Sequence, residues 1–206
     1  MLNGIDVAHH NGTIDWSRVS RAGTAFAFMK ATEGRGWVDE CFERNIKGAK
    51  QCGVLVGAYH YFKPDGNAAQ QAHHFLDTVM ANLGGFTGML PPVLDVEEQG
   101  GMTREQLTAS VAAWIGVVGE ACDRSPILYV NANYANNVLL PEFDLWPLWL
   151  AHYTADGPWD NPAKTLWASW TFWQYDDHGK CPGVSGDVDV NVYHYSAREL
   201  AALVIQ

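Results

Sequence analysis

Eight short runs of β-branched, aromatic and other apolar residues recur along the chain, near residues 3–9, 24–32, 55–62, 92–98, 126–132, 147–154, 170–176 and 188–194. Each is bounded by Gly, Pro, Asn or Asp, the residues that end strands. Helical periodicity fills the gaps between the early runs. Residues 38–52 bring Val38, Cys41, Phe42, Ile46 and Ala49 to one face, and Gly53 follows as a stop. Residues 67–83 gather Ala69, Ala72, Leu76, Val79, Met80 and Leu83, with Gly84 next. Residues 103–121 open with Thr103 and Gln106 at capping-box spacing and carry a stripe of Leu107, Val111, Trp114, Ile115 and Val118. Strand and helix in alternation imply a parallel sheet with crossover helices, and eight strands imply closure. After the fifth run the connections are too short for full crossover helices. The expectation is an α/β fold, an irregular TIM-like barrel of about eight strands with few full-length helices, regular early and degenerate late. The 206 residues are few for this architecture, typically ~250 residues, and suit one domain.

Composition narrows the function. With 48% hydrophobic and 17% charged residues the chain has the balance of a folded domain. A net charge of −10 disfavours nucleic acid, which needs a basic surface to displace counterions, and disfavours anionic membrane surfaces. No apolar run approaches the ~18 residues of a membrane span. The four cysteines form no C-x-x-C pair, so reduced thiols are expected rather than a zinc site or bridges. The start shows no charged region followed by an apolar one. The expectation is a protein made in the cytoplasm that reaches any extracellular substrate after release, by phage lysis or another export route. We also expect a monomer and a single catalytic domain over residues 1–206, without a separate wall-binding domain.

Chemistry concentrates at strand ends. In Pro91-Pro92-Val93-Leu94-Asp95-Val96-Glu97-Glu98, Asp95 and Glu97 are two apart and share a face at the carboxyl end of a strand. Barrel active sites are built at that end. Two acids on an inward face raise each other's proton affinity, which gives the protonated and ionised carboxyls a glycosidase needs. Asp6, before the Asn11-Gly12 turn signal, and Asp189, in the last run, occupy matching places. The first and last strands of a closed barrel are neighbours, so Asp6 and Asp189 should meet, with Asp95 and Glu97 across the mouth.

Ordered motifs span the chain: G-I-D-V-A-H-H-N-G at 4–12, F-A-F-M-K-A-T-E-G at 26–34, G-A-Y-H-Y-F at 57–62 and P-P-V-L-D-V-E at 91–97. Late in the chain come L-W-L-A-H-Y at 148–153, W-Q-Y at 173–175 and V-D-V-N at 188–191. Together they resemble glycoside hydrolase family 25, the lysozymes of phage, bacteria and fungi. Ala8 stands where that family usually has Ser. The resemblance implies a modified barrel and hydrolysis of the β-1,4 bond after N-acetylmuramic acid in bacterial peptidoglycan. It also implies that Glu97 is the acid/base, supported by Asp95, Asp6 and Asp189. Three roles are open to Asp95: nucleophile, base for water, or partner of the substrate's own N-acetyl group as that group attacks. Two same-face residues on a strand are ~6.6 Å apart at the backbone. Side-chain rotamers spread this spacing over both the ~5–5.5 Å of retaining and the ~6.5–9.5 Å of inverting pairs, so it leaves the stereochemistry open. N-acetyl participation is the favoured reading, since the implied substrate is N-acetylated.

Lys30, on the second strand, should point to the acidic mouth and hold one acid ionised, with Glu33 at the rim. Strand position and motif match make Tyr59, Tyr61, Tyr129, Trp149, Tyr153 and Gln174 the candidates for the sugar groove. The adjacent pairs His9-His10 and His73-His74 diverge, and no H-E-x-x-H occurs, so neither metal nor cofactor is expected. His60 and His152 read as satisfied core or rim residues. Two other functions compete: a metal-dependent polysaccharide deacetylase, and an inactive carbohydrate-binding barrel.

Overall fold

A computed structural model describes residues 1–64, 67–139, 143, 145–155, 157–159 and 162–206. Among these, nine strands form one sheet: β1 (Leu2–Val7), β2 (Phe26–Glu33), β3 (Trp37–Val38), β4 (Leu55–Tyr61), β5 (Val93–Asp95), β6 (Ile127–Asn131), β7 (Leu148–Ala151), β8 (Phe172–Gly179) and β9 (Val188–Tyr193). β1 pairs with both β9 and β2, which closes eight strands into a barrel and leaves β3 as a short hairpin partner of β2. Seven barrel strands run parallel, whereas β9 is antiparallel to both β8 and β1.

Crossover helices are full only in the first half. α2 (Phe42–Gln51), α3 (Ala68–Leu83) and α4 (Arg104–Cys122) follow β3, β4 and β5. The side chain of Asn67 caps α3, and Gly84 ends it at φ 74°, a left-handed conformation open to glycine. Thr103 and Gln106 form the reciprocal capping box of α4. Among the described residues, a π-helical turn (Tyr134–Val138) follows β6 and a 3-10 turn (Gly157–Trp159) follows β7. This matches the expected order of regular then degenerate connections.

Three local readings are corrected. Val38 is exposed on β3, not on the face of a helix beginning at 38. The Asp39 carboxylate accepts from the backbone N–H groups of Cys41 and His9, both at 2.8 Å, and this turn delays α2 to Phe42. Two six-residue helices, α1 (Trp16–Arg21) and α5 (Ala197–Ala202), were not foreseen; each is too short to show a periodicity. All four cysteines are free.

The barrel separates two cores. Outside it, α2, α3 and α4 pack on the strands through residues such as Ile46, Phe75, Val111 and Trp114. Inside it, Phe26, Phe28, Val93, Ile127, Trp149, Phe172 and Tyr193 fill the lumen, and Leu200 of α5 packs with them. Gly4 and Gly57 make room for this aromatic layer. A Cβ at either would meet the ring of Phe26 at 2.3 Å or of Phe28 at 2.4 Å. The lower barrel is therefore solid and apolar, and polar side chains are confined to the mouth.

Candidate active site

The mouth holds a cavity of about 300 Å³ lined by Asp6, Lys30, Tyr59, Tyr61, Asp95, Glu97, Tyr129, Trp149, Tyr153, Gln174 and Asp189, along with Ala8, His10 and Asp177. Eleven of the twelve residues chosen from sequence thus converge. Asp95 ends β5 and Asp6 lies next to the end of β1, both at the carboxyl side of their strands. Asp189 is the second residue of β9. It reaches the same rim because β9 runs backwards and pairs Asp189 with Asp6.

One acid pair is bound into a polar lattice. The amide groups of Gln174 and Asn191 both donate to Asp6 Oδ2, at 2.9 and 2.7 Å. Gln174 Oε1 in turn accepts from the hydroxyls of Tyr129 (2.8 Å) and Tyr153 (3.0 Å). The indole N–H of Trp149 donates to Asn191 Oδ1 at 2.8 Å. Carboxamide NH2 groups can only donate, so Asp6 Oδ2 is the acceptor of both bonds. Burial lifts Asp6 to about 6 against the pull of the bonds from Asn191 and Gln174. Burial, then repulsion from Asp6, lifts Asp189 to about 9. The two residues are directly paired across β1 and β9, so near neutral pH the carboxyls hold one proton between them.

The second pair is Asp95 and Glu97. Asp95 is buried, and its affinity for a proton rises well above the carboxylate range, first through burial and then through the charge of Glu97. Burial also raises Glu97. The two carboxyls are close enough to act on each other's proton affinity. Among the described residues, nothing donates to Asp95 Oδ1 although that atom is buried. An orphaned buried acceptor in an otherwise satisfied site is an opening for a ligand's donor. Lys30 lies under the ring of Tyr61 (4.6 Å) and beside Trp37 (5.1 Å), and its charge lowers the proton affinity of both acids.

Two sequence assignments change. Glu33 does not line the cavity. Its carboxylate is held between the ammonium groups of Lys30 (2.7 Å) and Lys63 (3.4 Å), so it positions Lys30. Trp149 reaches the cavity floor but stacks on Phe28 with centroids 4.6 Å apart and is 2% exposed. Its ring belongs to the lumen core, and its N–H anchors Asn191. Tyr153, 51% exposed, is free to meet a sugar face. His60 is a core residue as read: Thr32 and Gln71 flank its ring nitrogens at 2.7 and 3.0 Å, and burial lowers it to about 4.

Sequence reasoning missed His10 and Asp177. His10 lies within the first motif, where that match could have found it. Asp177 lies where β8 shifts register against β9, so strand alternation could not assign its face. Among the described residues, one trio could hold a metal ion, Asp176, Asp177 and His178, partly exposed on β8, and Asp177 of this trio also lines the cavity of the four acids.

A family model described as glycosyl hydrolases family 25 matches residues 5–184. The Escherichia coli K12 protein YegX is 39% identical over 98% of this chain and 73% of its own. Lysozyme M1 of Streptomyces globisporus is 35% identical over 98% of this chain and 71% of its own. The crystal structure of a lysozyme from Streptomyces coelicolor superposes with a TM-score of 0.88 at 33% identity, covering 98% of this chain and 96% of that one. Its barrel and this one are the same architecture. Asp189 and Asn191 lie beyond the matched segment and enter the site through the reversed last strand. The chain belongs to glycosyl hydrolases family 25.

Proposed function

We propose that the barrel mouth hydrolyses the β-1,4 bond between N-acetylmuramic acid and N-acetylglucosamine in bacterial peptidoglycan. The lysozyme names of both Streptomyces relatives support this substrate. The observation that carries the mechanism is the Asp95–Glu97 pair, in which Asp95 is buried with an unpartnered Oδ1 and Glu97 reaches the open mouth.

Glu97 is the acid/base and Asp95 the partner of the substrate acetamide. Before substrate binds, the pair shares a proton, because the burial of Asp95 and the nearby charge of Glu97 disfavour a second ionisation. The acetamide N–H of the muramic residue donates to Asp95 Oδ1. That bond favours ionised Asp95 and leaves the shared proton to Glu97. Glu97 then protonates the glycosidic oxygen while the acetamide oxygen attacks C1; the C1–O bond breaks and the acetamide N–H proton stays near Asp95. Ionised Glu97 next takes a proton from water, whose oxygen attacks C1, opens the cyclic intermediate and restores the acetamide. Two displacements at C1 retain configuration. The Asp6–Asp189 pair and its amide lattice fix Tyr129 and Tyr153 at the wall and keep a second proton in the site.

The test is Glu97→Gln, assayed by clearing of cell-wall suspensions, with circular dichroism as the check on folding. Loss of the acid should lower the rate by roughly 10²–10⁴-fold. A rate within a few-fold of wild type, with the fold retained, overturns the role of Glu97.

A further inference from the structure

The cavity of the four acids is not isolated. Glu97, Tyr129 and Tyr153 also line a second cavity of about 430 Å³, which Asn131, Ala132, Asn133, Ala151 and His152 complete. Asp6, Asp95 and Asp189 line only the first. The second cavity lies at the carboxyl ends of β6 and β7, where the chain enters the π-helical turn. Such turns often mark functional sites.

The polar side chains that it does not share with the first cavity, Asn131, Asn133 and His152, are arranged with one sense. Asn131 Oδ1 accepts from the backbone N–H of Tyr134 at 3.0 Å. Asn133 Oδ1 accepts from the Asn137 side chain at 3.0 Å. His152 Nδ1 accepts from the backbone N–H of Ala163 at 3.3 Å, which places the proton of a neutral ring on Nε2. Each acceptor atom is occupied and each remaining polar atom is a donor: two carboxamide NH2 groups and one imidazole N–H. Among the described residues, none of these three donors has a partner. A wall of neutral donors suits a ligand rich in uncharged oxygen acceptors, such as the hydroxyls and acetamide carbonyl of an N-acetylated sugar.

We propose that this second cavity is the leaving-group subsite, which holds the N-acetylglucosamine released by Glu97 through Asn131, Asn133 and His152. The inference rests on the muramidase reading and assigns its polarity. The sugar whose acetamide meets Asp95 must lie in the first cavity. The oxygen protonated by Glu97 belongs to the next sugar. Of the two cavities that Glu97 lines, the second does not include Asp95.

The test uses two soluble substrates with the same sugars on the glycone side. One is the tetrasaccharide of alternating N-acetylglucosamine and N-acetylmuramic acid, whose leaving group is a sugar. The other is N-acetylglucosaminyl-N-acetylmuramic acid β-linked to 4-methylumbelliferone, whose flat leaving group lacks acetamide and hydroxyls. The variants are Asn133→Ala, at an exposed position, and His152→Asn, whose Oδ1 can replace Nδ1 as acceptor; circular dichroism checks folding. Each should lose roughly 3–10-fold in kcat/KM on the tetrasaccharide, the range of one hydrogen bond, and stay within about two-fold on the aryl glycoside. Equal losses on both substrates, a loss on the aryl glycoside alone, or no loss in either variant overturns the subsite and leaves the muramidase reading standing. A wild-type enzyme that opens neither substrate overturns both.

Discussion

Replacing Asp189 by asparagine should stabilise the protein, and the gain should grow with pH. In the folded state the Asp6–Asp189 pair holds a proton, with Asp189 at about 9 and Asp6 at about 6, whereas an unfolded Asp titrates near 3.8. Folding therefore carries a proton that the unfolded chain has already released. Stability from that proton is complete below the unfolded value and is lost as pH rises toward the folded one. Between about pH 6.5 and about pH 8.5 the difference is close to one proton, worth about 1.4 kcal/mol per pH unit. The Asp189→Asn carboxamide would keep a hydrogen-bond donor beside Asp6 and remove the titration. The variant should thus gain roughly 3 kcal/mol on wild type across those two units. For a chain of this size that is roughly 5–11 °C in Tm. Urea unfolding of both proteins at intervals across the range measures it. Parallel stability curves, or a wild type that gains on the variant as pH rises, would show that both carboxylates are ionised and that the shared proton does not exist.

Two further outcomes follow from the same geometry. Glycan whose muramic residues have been de-N-acetylated should resist cleavage by about 10²-fold or more, since the attacking group is gone, and chemical re-acetylation should restore it; equal rates before and after would make Asp95 the nucleophile. Gln174→Leu strands the hydroxyls of Tyr129 and Tyr153 and removes a donor from Asp6, so urea unfolding should report a loss of about 2–4 kcal/mol; a loss under about 0.5 kcal/mol would mean that the lattice is not a structural unit.

Much of this site is written in local patterns, and the remainder depends on long-range pairing. The D-x-E strand end and the aspartate of the first strand are legible because two-residue alternation and strand direction place them at once. Asp189 is legible by type, but its reach depends on the reversal of β9, which no periodicity reports. The partners of Trp149 and Glu33 escape local pattern for a similar reason. Period two says that Trp149 points inward, yet whether its face meets sugar or Phe28 depends on a ring brought from β2. Glu33 is at the rim as read, and Lys63, thirty residues on, decides that it serves Lys30. The helices with strong stripes and caps, α3 and α4, begin and end close to where their sequence signals lie. α2 starts late because the Asp39 carboxylate reaches the backbone at His9, thirty residues away.

The central claim is that this site cuts the glycan strand on the reducing side of muramic acid. Borohydride reduction of fragments released from purified peptidoglycan, followed by acid hydrolysis and sugar analysis, reads the cut directly. The account predicts muramitol as the new reduced end, accumulating with time and absent with Glu97→Gln. Glucosaminitol in its place, or stem peptides released from an intact glycan, would contradict it.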